Sequence, residues 1–406
     1  MPGHATPRLS AGEEEYLRKF YDDAGGRGWS YQHYQKNHSQ LLGAVSDGWP
    51  AKGLSHSYGD EDHLTRANFE ADVHVFGHGK TVAQTLRLNT LLKDSANFEE
   101  FRDQASKLLT TFNERNLRTE FDTAKATANA TANVLRAVAS GAKYMRHRAT
   151  MDTHTRPVHA ALNGKVWRID NPKDTAWREW VVPLGWGCRC HDVFEDAADA
   201  SDIITNADAE RLLGPDEMKR LTEDGFLQDR VDKKKLFTSR QSYLANLPGG
   251  KIAFPINDLT YLDQGQAPWK DVSKRKLSTY KPADKSAKDA LADFAATATD
   301  AIKAFTDYRG APLFLKEAEL ASQVGTAAGA QQYFGLADVL AAPDEVYFAQ
   351  GDQLTNTYLK FHANDTVLMV EVEYSKDLPQ TVKSWQQVPK AKIDAARRGL
   401  LIHSSK

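Results

Sequence analysis

The spacing of apolar residues changes along this chain, and that change constrains the fold more than any single motif. From about Lys80 to Gly141 the spacing is helical. Phe98, Phe101, Ala105, Leu108 and Phe112 make one stripe, and Leu117, Phe121, Ala124, Ala128, Leu135 and Val138 make another. The alanines of the second stripe suit close helix packing. Roughly the last hundred residues behave differently. DEVYFAQ, TYLKFH, TVLMVEVEY and QTVKSWQQV are short runs rich in β-branched and aromatic residues, punctuated by Gly, Asn-Asp and Leu-Pro. LLIH near the end reads as one more strand. The chain is therefore of the α+β class: a helical N-terminal region leads, and an antiparallel sheet closes.

Between these parts the signals are more local. Ser10 and Glu13 form an S-x-x-E capping box ahead of Leu17, Phe20, Tyr21 and Ala24, and Gly25-Gly26 stop that helix. Trp29 to Gly79, rich in Gly, His, Ser and aromatics without a clean period, reads as loops with short helices. From Tyr144 the chain is dense in His, Arg, Trp, Gly and Pro, as expected of a compact α+β core with short strands. Polar residues with LPGGKIAFP and a basic run at 270–285 read as a linker, with an exposed hinge between about Leu247 and Lys285. Leu291, Phe294, Ala298, Ile302 and Phe305 then read as one helix face, ended by Gly310 and Pro312. The expected segments are 1–115, 116–195, 196–280 and 281–406.

Composition narrows the class of function. Hydrophobic residues make up 41% and charged residues 26% of 406 residues, enough for real cores, and the net charge of −2 supplies no global basic field for nucleic acid. The opening MPGHATPRLSAGEEE lacks the basic start and apolar run of a secretory signal. Apolar runs such as VLMV at 367–370 fall far short of the ~20 residues that span a bilayer. No membrane partner is expected. The two cysteines cannot build a disulfide framework, which points to a reducing or enclosed location.

Both cysteines, Cys188 and Cys190, sit in the step GWGCRCH. With Asp152, His159 and His191 they offer soft and borderline donors suited to Zn²⁺. The metal set is Asp152, His159, Cys188 and Cys190, a structural zinc site stapling a loop-rich unit. The opposing reading is plain packing, with small thiols inside, His159 bonded to Asp152 and Arg189 pairing outward.

LRTEFDTA, MDTHTRPVHAALNG and PLGWGCRC, spread over Asn116 to Val193, resemble the phage Mu F-like head morphogenesis, or minor capsid, family. The order Asp, Thr-Arg, His, Leu-x-Gly and C-R-C carries the resemblance. It implies a structural role in the virion near the portal vertex, with portal and head proteins as partners. The tail, through LADVLAAPDEVYF, TYLKF, VLMVEVEY, TVKSW and ARRGLLI, resembles the barnase, EndoU, colicin E5/D and RelE-like phage nucleases. This implies a toxin or effector carried on a head protein, RNA as substrate, an immunity protein as partner, and action in the host bacterial cytoplasm.

Metal-free RNA cleavage needs a base for the 2′-OH, an acid for the leaving oxygen and a cation for the phosphorane, but no cofactor. Alternation in NTYLKFH places Tyr358, Lys360 and His362 on one strand face, with Leu359 and Phe361 toward the core. Thr381, Lys383 and Trp385 alternate against Val382 and Ser384, and Arg397, Arg398 and His403 arrive at the end. The catalytic set is Tyr358, Lys360, His362, Thr381, Ser384, Arg397 and Arg398. The bland reading of the same residues is a solvated outer sheet face. Two alternatives stand beside it. Tyr308-Arg309-Gly310 with Glu371-Val372-Glu373 resembles the Arg and E-x-E elements of arginine-type ADP-ribosyltransferases, although no Ser-Thr-Ser step lies between them. A purely structural head protein with a non-catalytic binding tail is the other.

Overall fold

A computed structural model describes residues 9–22, 29–49, 61–246, 254–375 and 378–405. The chain divides into two units, Met1–Leu54 with Val75–Ile252, and Ser55–His74 with Ala253–Lys406. Gly25, Gly26 and the LPGG of the expected hinge lie outside the described residues. Among the described residues, no helix is long and apolar enough to cross a membrane.

The first unit opens with α1 (Ala11–Asp22), α2 (Tyr31–Gly48), α3 (Glu61–Asp94), α4 (Phe98–Thr110) and α5 (Leu117–Ala139); residues of α3 up to His74 count with the second unit. The Ser10–Glu13 box caps α1 as expected, with Glu13 N–H donating to Ser10 Oγ and Ser10 N–H to Glu13 Oε2. The stripes of α4 and α5 bury Phe98, Phe101, Ala105, Leu117, Ala124 and Ala128, while Val138 stays exposed. The loops expected over Trp29 to Gly79 are corrected: most of that stretch is α2 and α3. The physical reason is in the burial. His33, Asn37 and His38 of α2 and Thr65, Glu70, Asp72, His74 and His78 of α3 are as buried as their apolar neighbours. A helix that buries polar residues around its circumference shows no single apolar stripe.

The rest of this unit is a small α+β core. β1 (Tyr144–Arg148) lies between β2 (Val166–Arg168) and β3 (His191–Glu195), both antiparallel to it. α6 (Pro157–Leu162), α7 (Asn206–Glu223, kinked at Gly214-Pro215) and α8 (Arg230–Lys233) complete it. Met145, Val158, Leu162, Trp167, Trp177 and Trp180 form its centre.

The second unit contains α9 (Trp269–Val272), α10 (Ala287–Thr297), α11 (Glu317–Gln323), α12 (Ala327–Tyr333), α13 (Leu336–Ala341) and α14 (Ile393–Ala396). Its strands are β4 (Ile302–Thr306), β5 (Pro312–Lys316), β6 (Glu345–Gln350), β7 (Leu354–His362), β8 (Thr366–Glu373), β9 (Thr381–Gln387) and β10 (Leu400–Ser404). Among the described residues they form one sheet in the order β10-β6-β7-β8-β9-β5-β4, antiparallel except where β5 runs parallel to β9. The expected meander is β6 to β9. The single helix expected over Leu291 to Phe305 is corrected. It ends at Thr297, Asp300 and Ala301 turn with positive φ, and Ile302–Thr306 pairs with Pro312–Lys316. A helix followed by a strand happened to keep its apolar residues three or four apart.

Phe294, Leu320, Tyr333, Leu336 and Leu340 pack over one sheet face, on Val346, Tyr358, Val370 and Trp385. Part of the opposite face is covered by residues 256–272, which bury Ile256, Leu259, Trp269 and Val272. Trp269 meets Phe361 edge-on at 5.4 Å, and Gln264 bonds both the Gly399 carbonyl and the Leu401 amide.

Candidate functional site

The C-R-C loop is held by residues of the preceding Thr-Arg-Pro turn. Arg156 donates to the Trp186 carbonyl at 3.0 Å, and a Cβ on Gly185 would stand 2.6 Å from its guanidinium, so a larger residue there would push the end of that side chain aside. Cys188 N–H closes a turn onto the Gly185 carbonyl, with Gly187 at φ +66° between them. Pro157 starts α6 and so presents His159 to the loop.

His159 Nδ1 lies 3.1 Å from Cys190 Sγ and 3.6 Å from Cys188 Sγ. Asp152 does not join them. Arg189 clamps it through two hydrogen bonds, of 2.5 and 2.8 Å, and holds its carboxyl well below the usual carboxylate range. His191 is exposed. The residue that does join is His147 of β1, fully buried, which with His159 and Cys190 brings three donor atoms within 4.8 Å of one another. The two cysteines are free and half-buried. Their shared hydrogen bond pulls the Cys188 thiol below its usual range and pushes the Cys190 thiol above it. Strand alternation carried the signal for His147. In YMRHR, Met145 and His147 share a face, and Met145 is core.

The tail residues separate onto two faces. Cross-strand pairing aligns Val346, Tyr358, Val370 and Trp385 under the helices. Tyr358 is fully buried there, its hydroxyl 3.5 Å from Asp307. Lys360 Nζ donates to the Ala342 carbonyl at the end of α13. His362 Nδ1 meets Ser278 Oγ at 3.1 Å, and burial, then the Lys360 charge, lowers its pKa. Arg397 is fully buried in a bidentate pair with Glu345, at 2.6 and 2.7 Å, while Arg398 is exposed. Thr381 is buried.

The opposite face carries an open polar row. Pairing aligns Tyr347, Thr357, Glu371 and Ser384 across β6 to β9, and the last three are half-exposed. Ser384 donates to Glu371. A register shift after Glu371 leaves Lys383 between the paired positions, and its Nζ reaches Glu319 at 2.9 Å and Glu373 at 3.8 Å. Of these residues the sequence-derived catalytic set held Ser384 alone; strict alternation set Lys383 on the other face of the strand, and Thr357 was not named. Sequence reasoning read Glu371 and Glu373 for a different chemistry.

One further polar centre escaped the sequence. Lys80, fully buried, pairs with Glu120 at 2.5 Å, and Tyr243 Oη donates to the same carboxylate. A cavity of about 290 Å³ opens beside them, bordered by Phe76, Asn116 and Trp186.

Residues 86–193 match the family model of Phage Mu protein F like protein, and residues 289–404 match that of phage-Barnase-EndoU-ColicinE5/D-RelE like nuclease2. The Mu-like prophage FluMu F protein of Haemophilus influenzae is 32% identical over 106 residues, 26% of this chain and 25% of that protein. The chain thus spans about a quarter of the length of that curated relative. No solved structure matches it. The chain joins a phage Mu F-like head-morphogenesis segment to a phage nuclease-like segment.

Proposed function

We propose that this is a virion-associated minor head protein whose C-terminal unit is a metal-independent ribonuclease, acting as a toxin in the host cytoplasm. Portal and head proteins are its assembly partners, RNA its substrate, and a cognate immunity protein its inhibitor in the producing cell. The observation that carries the reading is the open polar row of β7 to β9 within the nuclease-matched residues. In it a carboxylate, a hydroxyl and an ammonium stand on a rigid sheet. Glu371 takes the 2′-OH proton as the 2′-oxygen bonds to phosphorus. Lys383 offsets the charge that builds on the phosphorane, and as the P–O5′ bond breaks the 5′-oxygen takes a proton from solvent water. The helix-covered Tyr358, Lys360 and His362 form a second set. It is favoured by one observation: Lys360 and His362 lie in the last three residues of β7, away from its centre, and His362 Nδ1 meets Ser278 Oγ there. Arg309 is engaged by Asp307 and Glu70, both at 2.9 Å, which does not favour the transferase chemistry.

The test uses full-length protein and RNA in EDTA. Glu371→Gln with Lys383→Ala should lower cleavage by about 10²–10⁴-fold, and Lys360→Ala with His362→Ala much less. The reverse ranking would move the active face under the helices. Folded wild-type protein that leaves RNA intact removes the nuclease reading, and NAD consumption dependent on Arg309 and Glu373 puts the transferase in its place.

A further inference from the structure

We propose that His147, His159, Cys188 and Cys190 bind a zinc-class divalent ion that staples β1, α6 and the loop entering β3. Donor atoms of His147, His159 and Cys190 already lie within 4.8 Å of one another. Cys188 is the fourth, its Sγ 3.6 Å from His159 Nδ1, while Cys190 Sγ is 3.1 Å from the same nitrogen. Tetrahedral ligation with bonds of about 2.0–2.3 Å sets neighbouring donors about 3.3–3.8 Å apart. The two separations are close to that edge length. Two thiolates and two imidazoles are a donor set that zinc favours over harder cations.

A second observation points the same way. His147 is fully buried and neither of its ring nitrogens makes a hydrogen bond. Unpartnered buried imidazoles are costly, and metal ligation gives the His147 ring a partner. Asp192 Oδ1 stands 3.5 Å from His147 Nδ1 with its side chain only 3% exposed, and its other oxygen accepts the Val182 N–H. A carboxylate so placed is in position to accept a hydrogen bond from Nδ1–H when Nε2 turns to the ion, the second-layer partner that ligating histidines usually have. A cavity of about 50 Å³ borders His159 and both cysteines, so an ion has a way in.

The test measures zinc in full-length protein after exhaustive dialysis. About one zinc per chain is expected, falling below about a tenth of that in Cys190→Ser and in His147→Gln, with Asp152→Asn keeping its metal. Where a ligand variant fails to fold, wild-type protein is stripped with a chelator and titrated with cobalt(II). Intense visible and thiolate charge-transfer bands that saturate at one equivalent support the site. Absence of both stoichiometric zinc and the cobalt spectrum overturns it. Retention of zinc by both ligand variants, or its loss in Asp152→Asn, overturns this ligand set.

Discussion

Buried charges depend on their partners, and Lys80 shows how strongly. Its ammonium is fully buried, desolvation lowers its pKa, and Glu120 is the carboxylate that opposes this. Glu120→Ala strands that charge and should cost about 3–5 kcal/mol, read from urea unfolding. Lys80→Met in the same chain should recover most of the loss. A second buried base makes stability pH-dependent. Burial lowers His33 to about 4, and its Nδ1 meets the Gln84 side-chain amide at 3.2 Å. Between pH 6.5 and about 4 the unfolded chain binds the proton and the folded one does not, so stability falls as pH falls through that window. The loss reaches about 3 kcal/mol by pH 4. His33→Gln should flatten that part of the unfolding-midpoint profile, and an unchanged slope would rule out His33 as its source. Of the candidate site residues, the sequence made the cysteines and His159 legible, because the two cysteines and the histidine motif are conspicuous. His147 was hidden among arginines, and only the Met145 parity marked its inward face.

At the scale of elements, the meander strands were legible because each run alternates and ends at a turn. α2 and the first half of α3 were not, because their buried His, Asn, Asp, Glu and Thr erase the apolar stripe that betrays a helix. The stretch 256–272 is the instructive case. It reads as linker, yet Tyr261 N–H bonds the Arg397 carbonyl, Arg397 bonds the Ala267 carbonyl, and Trp269 Nε1 bonds Asp365. None of these pairings leaves a periodic mark, since each partner lies about a hundred residues away. A fragment of residues 281–406 loses all of them, whereas the Glu70 partner of Arg309 is missing from any fragment that starts after residue 70. The 281–406 fragment should therefore melt lower than a fragment of residues 254–406 by circular dichroism. Equal melting temperatures would show that the stretch merely rests on the sheet. Any toxicity assay with the shorter piece tests stability as much as chemistry.

At the scale of the molecule, the two units have separate cores. Met145, Trp167 and Trp180 centre one, and Tyr358, Val370 and Trp385 centre the other. The metal site proposed for the first unit and the polar row proposed for the second share no residue. Their responses to chelation should differ for that reason. A structural ion stabilises only the fold that binds it, by an amount set by its affinity and free concentration. The RNA chemistry proposed for the second unit uses a carboxylate and an ammonium with no ion. Calorimetry of the full chain should therefore show two transitions, of which a strong zinc chelator lowers one and leaves the other in place. Cys190→Ser should reproduce the lowered transition without chelator. Cleavage of RNA by the same samples should be unchanged, provided the assay temperature stays below both transitions. If the chelator instead abolishes cleavage while the second transition holds, the nuclease needs a metal and the base–cation mechanism on β8 and β9 fails. If both transitions move together, the units unfold as one, and the separation of staple from chemistry fails with them.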